Sequence, residues 1–212
     1  MDFETFLKKI PEIQQQKLLG TISHLKMCPP ERAEMMRNID LSSIKPREAA
    51  IMMLVYPKSN ITHLALILRT SYNGVHSSQI AFPGGKVELF DTNFQQTALR
   101  ETYEEIGISP EKINVIRHFT PIYIPPSNFM VYPFLGYSTE NLTFVPDQDE
   151  VAGILELPIS ILLDEEIIIT NRMSTSYNDN MDVPAFKINE HIVWGATAMM
   201  LSELKDVLKM VL

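Results

Sequence analysis

The chain has one cysteine, Cys28, in 212 residues. That count excludes an internal disulfide and any cysteine-rich zinc site, and nothing around Cys28 marks an activated thiolate. Long apolar runs are missing as well. None approaches the roughly 18 to 20 residues that a membrane span needs, and MDFETFLKKI has neither the basic start nor the apolar stretch of a signal peptide. A cytoplasmic location is therefore expected. Positive charge is scarce, with 18 Lys and Arg against 26 Asp and Glu, for a formal net charge of −8. This argues against nucleic acid as a partner, because a phosphate backbone rewards a basic footprint. An anionic small molecule stays open if a metal ion and a few local cations turn the field positive at one place. Internal repeats and low-complexity tracts are absent too.

What is present suits one globular domain with a sizeable core, since 45% of the residues are hydrophobic. Residues 1–45 are expected to be an N-terminal helical extension, in which FLKKI, IQQQKLLGTISHL and PERAEMMRNI read as helical pieces. Residues 46–212 then form the main domain. Ala49 to Tyr56 make an unbroken apolar run bounded by prolines, as in a buried strand. THLALILRT alternates around Leu64, Leu66 and Leu68, so residues 47–70 predict a hairpin with PKSN as its turn. QIAF reads as a short strand and PGG as a tight backbone turn.

The clearest helix follows. Thr92 or Asn93 can cap it, with Gln95 or Gln96 three residues on, and Phe94, Ala98, Leu99, Tyr103 and Ile106 fall on one broad face. INVIRHFTPIYI, FMVYPFLGY and EVAGILEL are further strand candidates, separated by PPSN and VPDQD. The polar stretch STSYNDNMD, within residues 164–182, is expected to be a mobile loop, and GATAMMLSELKDVLKMVL a helix over one face of the sheet. Strands on either side of a helix, then a final helix, indicate an α/β fold with a mixed sheet covered on both faces.

RETYEEIG, residues 100–107, breaks the local rules. Glu101, Glu104 and Glu105 fall at i, i+3 and i+4, where like charges repel by about 0.2 to 0.5 kcal/mol per pair. Gly107 reads as the residue that ends the helix, so the carboxylates also sit at the negative end of its dipole. A solvated acidic face balanced by Arg100 is the plain explanation. Rule-breaking beside a sharp PGG turn favours a functional one. A hard divalent cation, Mg²⁺ or Mn²⁺, would resolve the conflict by taking oxygen ligands together with substrate phosphates. Glu101 and Glu105 can hold one ion, and Glu104 a second ion or a water.

GKVELFDTNFQQTALRETYEEIGI, residues 85–108, resembles the Nudix box Gx5Ex7REUxEExGU of hydrolases that cleave a diphosphate linked to another group X. Arg100, Glu101, Thr102, Glu104, Glu105, Gly107 and Ile108 match its second half, with Thr102 where an aliphatic residue is usual. Asp91 stands where glutamate is usual, and eight residues rather than seven separate it from Arg100. That spacing is similar to the coenzyme A diphosphatase branch, whose upstream motif LLTxRSxxxxxHxGQxxFPGG is matched by LILRTSYNGVHSSQIAFPGG through Arg69, Thr70, His76, Gln79, Phe82, Pro83, Gly84 and Gly85. Ser78 replaces the motif's glycine. Other echoes are YIPPSNFMVYPFLG, Glu150–Val151 and WGATA, from Trp194 to Ala198.

The resemblance implies an α/β/α sandwich with a mixed β-sheet, Mg²⁺ or Mn²⁺ as cofactor, and hydrolysis of CoA to 3′,5′-ADP and 4′-phosphopantetheine. By the same carry-over Glu101 and Glu105 are the primary metal ligands, with Glu104 and the Gly85 carbonyl as further donors. Arg100 orients a metal-binding glutamate, and Asp91 either does the same or serves the helix start. Arg69, His76, Gln79 and Lys86 are candidates for binding substrate. The general base is Glu104 or Glu150, and Trp194 is core or a wall of the cleft. ADP-ribose, NADH or a nucleoside triphosphate are alternative substrates, and a catalytically silent nucleotide sensor is the alternative of another class. The N-terminal helices suit either a homodimer interface or a cover for an apolar patch.

Overall fold

The computed structural model describes residues 1–40, 43–70, 79–174 and 180–212. The run from Arg47 to Lys58 forms strand β1, whose side chains are buried on both faces from Ala49 to Pro57. Ala49, Ile51, Met53 and Val55 join one apolar cluster, and Ala50, Met52, Leu54 and Tyr56 another. A strand alternates its side chains between faces, so an all-apolar strand demands cover on both. Helix α4 (Phe94–Ile106) supplies Ala98 and Ile106 to the second cluster. Helices α1 (Phe3–Gln15) and α6 (Gly195–Val211) supply Phe6, Ile13, Leu201 and Leu204 to the first. The expected α/β/α sandwich results, and its eight-stranded sheet is mixed.

Strand β2 (Ile61–Arg69) pairs antiparallel with β1 only from Val55↔Leu64 to Lys58↔Ile61. The strands then diverge. Strand β3 (Ile80–Ala81) pairs with the far end of β2, and β4 (Gly84–Lys86) with the start of β1. On its other edge β1 runs parallel to β7 (Phe129–Tyr137), which also pairs with β5 (Asn114–His118) and β6 (Ile122–Ile124). Strand β8 (Val151–Pro158) closes the outer edge of β2. The PGG stretch expected as a turn is thus partly a strand, with Gly84 at φ +152°. A Cβ there would meet the Ala50 carbonyl oxygen at 2.4 Å.

Several expectations shift. The hairpin turn is not all of PKSN but Ser59 and Asn60, both at positive φ, because Pro57 and Lys58 stay in register with Thr62 and Ile61. FLKKI and the start of IQQQKLLGTISHL merge into α1, which accommodates Pro11; α2 (Thr21–Leu25) and α3 (Pro30–Asn38) follow. On α4, Asn93 caps by accepting from the Gln96 amide at 2.9 Å, and the Gln96 side chain returns the bond to the Thr92 amide. The buried stripe there is Thr97, Ala98, Thr102, Glu105 and Ile106, whereas Tyr103 is exposed. Thr102 takes its aliphatic slot by donating its hydroxyl to the Ala98 carbonyl at 2.6 Å.

The sequence reading also missed a second sheet of β9 (Ile168–Met173), β10 (Met181–Ile188) and β11 (His191–Trp194). Strand β9 alternates only between exposed and half-buried, so it carries no clean apolar period. Met181 and Asp182, expected in a loop, begin β10; residues 175–179 of that expectation lie outside the described ones. A five-residue helix, α5 (Ile159–Leu163), follows β8. Cys28 is buried, and burial pushes its thiol pKa up. No helix among the described residues is long and apolar enough to cross a membrane.

A buried carboxylate locks the N-terminal helices to α6. Glu203 accepts from the Gly20 amide at 2.8 Å, the Thr120 amide at 3.1 Å and the Thr120 hydroxyl at 2.6 Å. His24 Nε2 stands 3.4 Å from the same carboxylate. Removing such a group strands its donors in the interior. Glu203→Ala is expected to lower stability by about 3 to 5 kcal/mol, read as a shift in the urea unfolding midpoint; an unchanged midpoint would show that the lock contributes nothing.

Candidate active site

The split of the β1–β2 hairpin brings the PGG stretch under the C-terminal half of α4. The Gly84 amide donates to Glu105 Oε2 at 2.8 Å, and Arg69, at the end of β2, reaches Glu105 Oε1 at 3.3 Å. Gly85 lies so close to Glu101 that a Cβ would fall 2.4 Å from its Oε2. Only a residue without a side chain leaves the Glu101 carboxylate its position. A cavity of about 440 Å³ opens here, and Arg69, Gln79, Lys86, Glu101, Glu105 and Glu150 contribute to its lining.

The three glutamates do not share one environment. Side-chain exposure runs from 2% at Glu105 through 14% at Glu101 to 52% at Glu104. Arg100 holds the outer two, donating Nη1 to Glu101 Oε1 and to Glu104 Oε2, each at 2.7 Å. Its Nε and Nη2 grip Asp91 at 3.0 and 2.9 Å, and Nη2 also donates to the Lys86 carbonyl at 3.0 Å. The extra residue between Asp91 and Arg100 leaves that fork intact. Asp91 also accepts from the Glu88 amide and the Thr97 hydroxyl, each at 2.9 Å. The Arg100 hydrogen bonds lower its pKa to about 2. Gly107, at φ +73°, ends the helix by donating to the Tyr103 carbonyl.

Burial raises the pKa of Glu101 and Glu105. Glu105 is pushed up to about 8, against the Gly84 amide and Arg69 and with help from the Glu101 and Glu150 charges. Glu101 is raised by burial, against its bond to Arg100. Glu150 is held by the residue after β2, since the Thr70 amide donates to its carbonyl at 3.0 Å and the Thr70 hydroxyl to the Asp149 carbonyl at 2.8 Å. The loop before it is stitched to α4 by Val145 and Asp147 amides donating to the Ile106 and Glu105 carbonyls.

Of the residues expected from sequence, the cavity brings together Arg69, Gln79, Gly85, Lys86, Glu101, Glu105, Glu150 and Trp194. Glu104 and Arg100 are not in its lining. Glu104 is half-exposed and shares the Arg100 Nη1 donor with Glu101. His76 lies outside the described residues. Sequence reading did not assign to the site Pro29, Arg32, Ile124, Ser127, Phe129 and Met200, which also line the cavity and come from segments far apart in the chain. YIPPSNFMVYPFLG contains Ile124, Ser127 and Phe129 and the expected final helix contains Met200, but nothing in those stretches pointed to the cavity.

The NUDIX domain model matches residues 45–172. The chain belongs to the Nudix family. It is 30% identical over 171 residues to NudL, an uncharacterized Nudix hydrolase of Yersinia enterocolitica, a match covering 76% of this chain and 82% of that one. Two solved structures share the fold. RenU, a Nudix hydrolase of M. smegmatis, aligns at a TM-score of 0.54 and 15% identity over 79% of this chain and 88% of its own. A MutT/nudix family protein from Enterococcus faecalis aligns at 0.51 and 16% over 96% and 74%. Nudix hydrolases are enzymes acting on phosphoric anhydrides, and this chain is one of them.

The family generally uses divalent metal ions. Among the described residues, no three His, Cys, Asp or Glu side chains already converge tightly enough to hold one. The donor set nevertheless fits a hard cation in kind. Glu105 is a buried oxygen donor and Glu101 a largely enclosed one, and burial first, then nearby carboxylate charge, raises the pKa of both.

A pH dependence follows for the metal-free protein. The Glu105 pKa is raised above its unfolded value, so between about pH 4.5 and 8 the folded state keeps a proton that the unfolded state has released. Stability should therefore fall as pH rises through that window and level off above it. Urea midpoints taken in EDTA should show this slope, and Glu105→Gln should flatten it; an equal slope in the variant would mean that Glu105 is not its source.

Proposed function

We propose that the chain is a metal-dependent diphosphatase that splits CoA or acyl-CoA into 3′,5′-ADP and 4′-phosphopantetheine or its acyl form. One observation carries the reading. Arg69, Gln79, Phe82, Gly84 and Gly85 of the upstream motif line the same cavity as Glu101 and Glu105 of the box. That union supports the branch resemblance, because motif residues serving separate sites would have no reason to share a wall.

Mg²⁺ or Mn²⁺ held by Glu101 and Glu105, with the Gly85 carbonyl and Glu104 as further donors, would neutralise the diphosphate and make water more acidic. Arg100 fixes the Glu101 carboxylate through its 2.7 Å bond. The Arg100 bond to Glu104 uses Oε2 and leaves Oε1 for a ligand. Arg69 and Lys86 oppose the phosphate charge, Gln79 offers hydrogen bonds beside them, and His76, outside the described residues, is a further candidate for binding substrate. Glu150 is the better candidate for the base, since it lines the cavity and Glu104 does not. Its carboxylate takes the proton of the attacking water as the new phosphorus–oxygen bond forms and the bridging one breaks.

The test is incubation with Mg²⁺ or Mn²⁺ and a panel of CoA, acyl-CoAs, NADH, ADP-ribose and nucleoside triphosphates, with products separated by chromatography. 3′,5′-ADP from CoA is the expected result. Preferential turnover of another compound would move the reading to that substrate, and no turnover would favour a sensor. Glu105→Gln should lower kcat by roughly two to three orders of magnitude with the fold retained. Gly85→Ala should lower it at least about tenfold, because its Cβ displaces the Glu101 carboxylate. Full metal-dependent activity in both variants would refute the ligand assignment.

A further inference from the structure

Strand β1 begins with a cation on the face that lines the cavity. Ala49 and Ile51 contribute to the lining, as do Phe129 and Val131 on β7 and Gly84 and Lys86 on β4. Side chains alternate between faces along a strand, so Arg47, two residues before Ala49, belongs to the same face. Resting on the CoA reading above, we propose that Arg47 binds the 3′-phosphate of the substrate and makes the chain favour CoA over 3′-dephospho-CoA.

Arg47 is exposed, held in place and uncompensated. Its amide donates to the Asn128 carbonyl at 2.8 Å and its Nη2 to the Ser127 carbonyl at 2.7 Å, while the guanidinium carbon lies 4.1 Å from the centre of the Phe129 ring. Ser127 and Phe129 both line the cavity. A carbonyl and a ring orient the guanidinium without cancelling its charge, and most of its N–H donors stay uncommitted. Among the described residues no carboxylate comes within ion-pair range of it. The neighbouring Glu48 accepts from the Tyr132 hydroxyl at 3.4 Å on the opposite face of the sheet. In a chain of net charge −8, a fixed guanidinium with no acidic partner is suited to a phosphate.

Position decides which phosphate. Ile51 pairs with Gly84, whose amide holds Glu105, so the buried glutamate lies alongside Ile51. The Arg47 backbone is about 13 Å farther along β1 at the rise of an extended strand. Its guanidinium lies over Phe129, on the β7 side of β1 and away from β4. A diphosphate at Glu101 and Glu105 does not extend that far, but CoA carries a second anionic group, the 3′-phosphate, on its ribose. Adenine and pantetheine are uncharged and give an arginine less to bind.

The test compares CoA with 3′-dephospho-CoA, which lacks only that phosphate. In the wild type, kcat/KM should be at least about tenfold higher for CoA, the lower end for hydrogen bonds to a charged group. Arg47→Ala and Arg47→Gln should each lower kcat/KM for CoA by roughly ten- to a hundredfold and leave that for 3′-dephospho-CoA within about twofold. Inhibition by 3′,5′-ADP should weaken over the same range, and inhibition by 5′-AMP should not. Arg47→Lys should keep part of the preference, because it retains the charge without the fork. The glutamine keeps a stem over Phe129 and a donor for Ser127, so equal losses on both substrates in Arg47→Gln would overturn the assignment and leave Arg47 a clasp for residues 125–129. A wild type that hydrolyses both substrates equally, or a preference unchanged in the variants, would also overturn it. Absence of CoA hydrolysis in the wild type overturns the functional reading itself, and the 3′-phosphate assignment with it.

Discussion

The β1–β2 hairpin holds together for four pairs and then comes apart, and the catalytic end of the molecule is built in the gap. Strands β3 and β4 enter between the diverging strands, and the Met52 amide donates to the Pro83 carbonyl at 2.9 Å. This brings two glycines to the underside of α4, where Gly84 offers its amide to Glu105 and Gly85 leaves room for Glu101. A hairpin paired along its whole length would occupy that space with its own ladder. The gap also opens the cavity, since Phe82 and Gly84 line it from the inserted segment. Strand β1 tolerates the arrangement because β7 pairs with its other edge without interruption from Arg47 to Val55.

The electrostatic fault of RETYEEIG is managed by unequal burial rather than by removing charge. Arg100 neutralises the outer side, where it binds Asp91, Glu101 and Glu104. Glu105 lies on the inner side, where burial raises its pKa and a proton is the simplest remedy in the absence of a cation. Helix α4 therefore holds its outer carboxylates on Arg100, while Glu105 meets Arg69 and the Gly84 amide inside, where burial still raises its pKa. A carboxylate that resists ionisation alone is a strong partner for a divalent cation, because the cation removes the cause of the resistance.

Much of this was legible in sequence because it is local. The all-apolar β1, the Asn93 cap, Gly107 and the final helix follow from periodicity and single-residue chemistry, and the layer arrangement follows from them. The same rules failed where tertiary context overrode them. Tyr103 fits an apolar face by spacing yet is exposed, and the side of α4 that is buried carries Thr97, Thr102 and Glu105 instead. Strand β9 gave no signal because neither of its faces is fully buried. The residues near the box were readable as a group, but the depth of Glu105 and the outward position of Glu104 were not. Adjacent residues in a helix differ by 100° in direction, and only packing decides which one points in.

The least legible part is the rest of the cavity lining, and its origin explains why. Pro29 caps α3 and Arg32 lies in it, Ile124 and Ser127 come from the approach to β7, and Trp194 and Met200 from the end of the chain. None of these segments has a spacing tied to the box, so no linear motif can describe the chamber they form. The local segments that carry the carboxylates and the glycines fix the chemistry available to any diphosphate. The shape open to the group X is set instead by elements that meet only in the folded protein, with the Glu203 lock and the Arg32 bond to Tyr123 holding the N-terminal helices against the rest. Changes in those helices can thus alter which X is accepted without touching the glutamates, so the hydrolytic chemistry is easier to read from this sequence than the substrate.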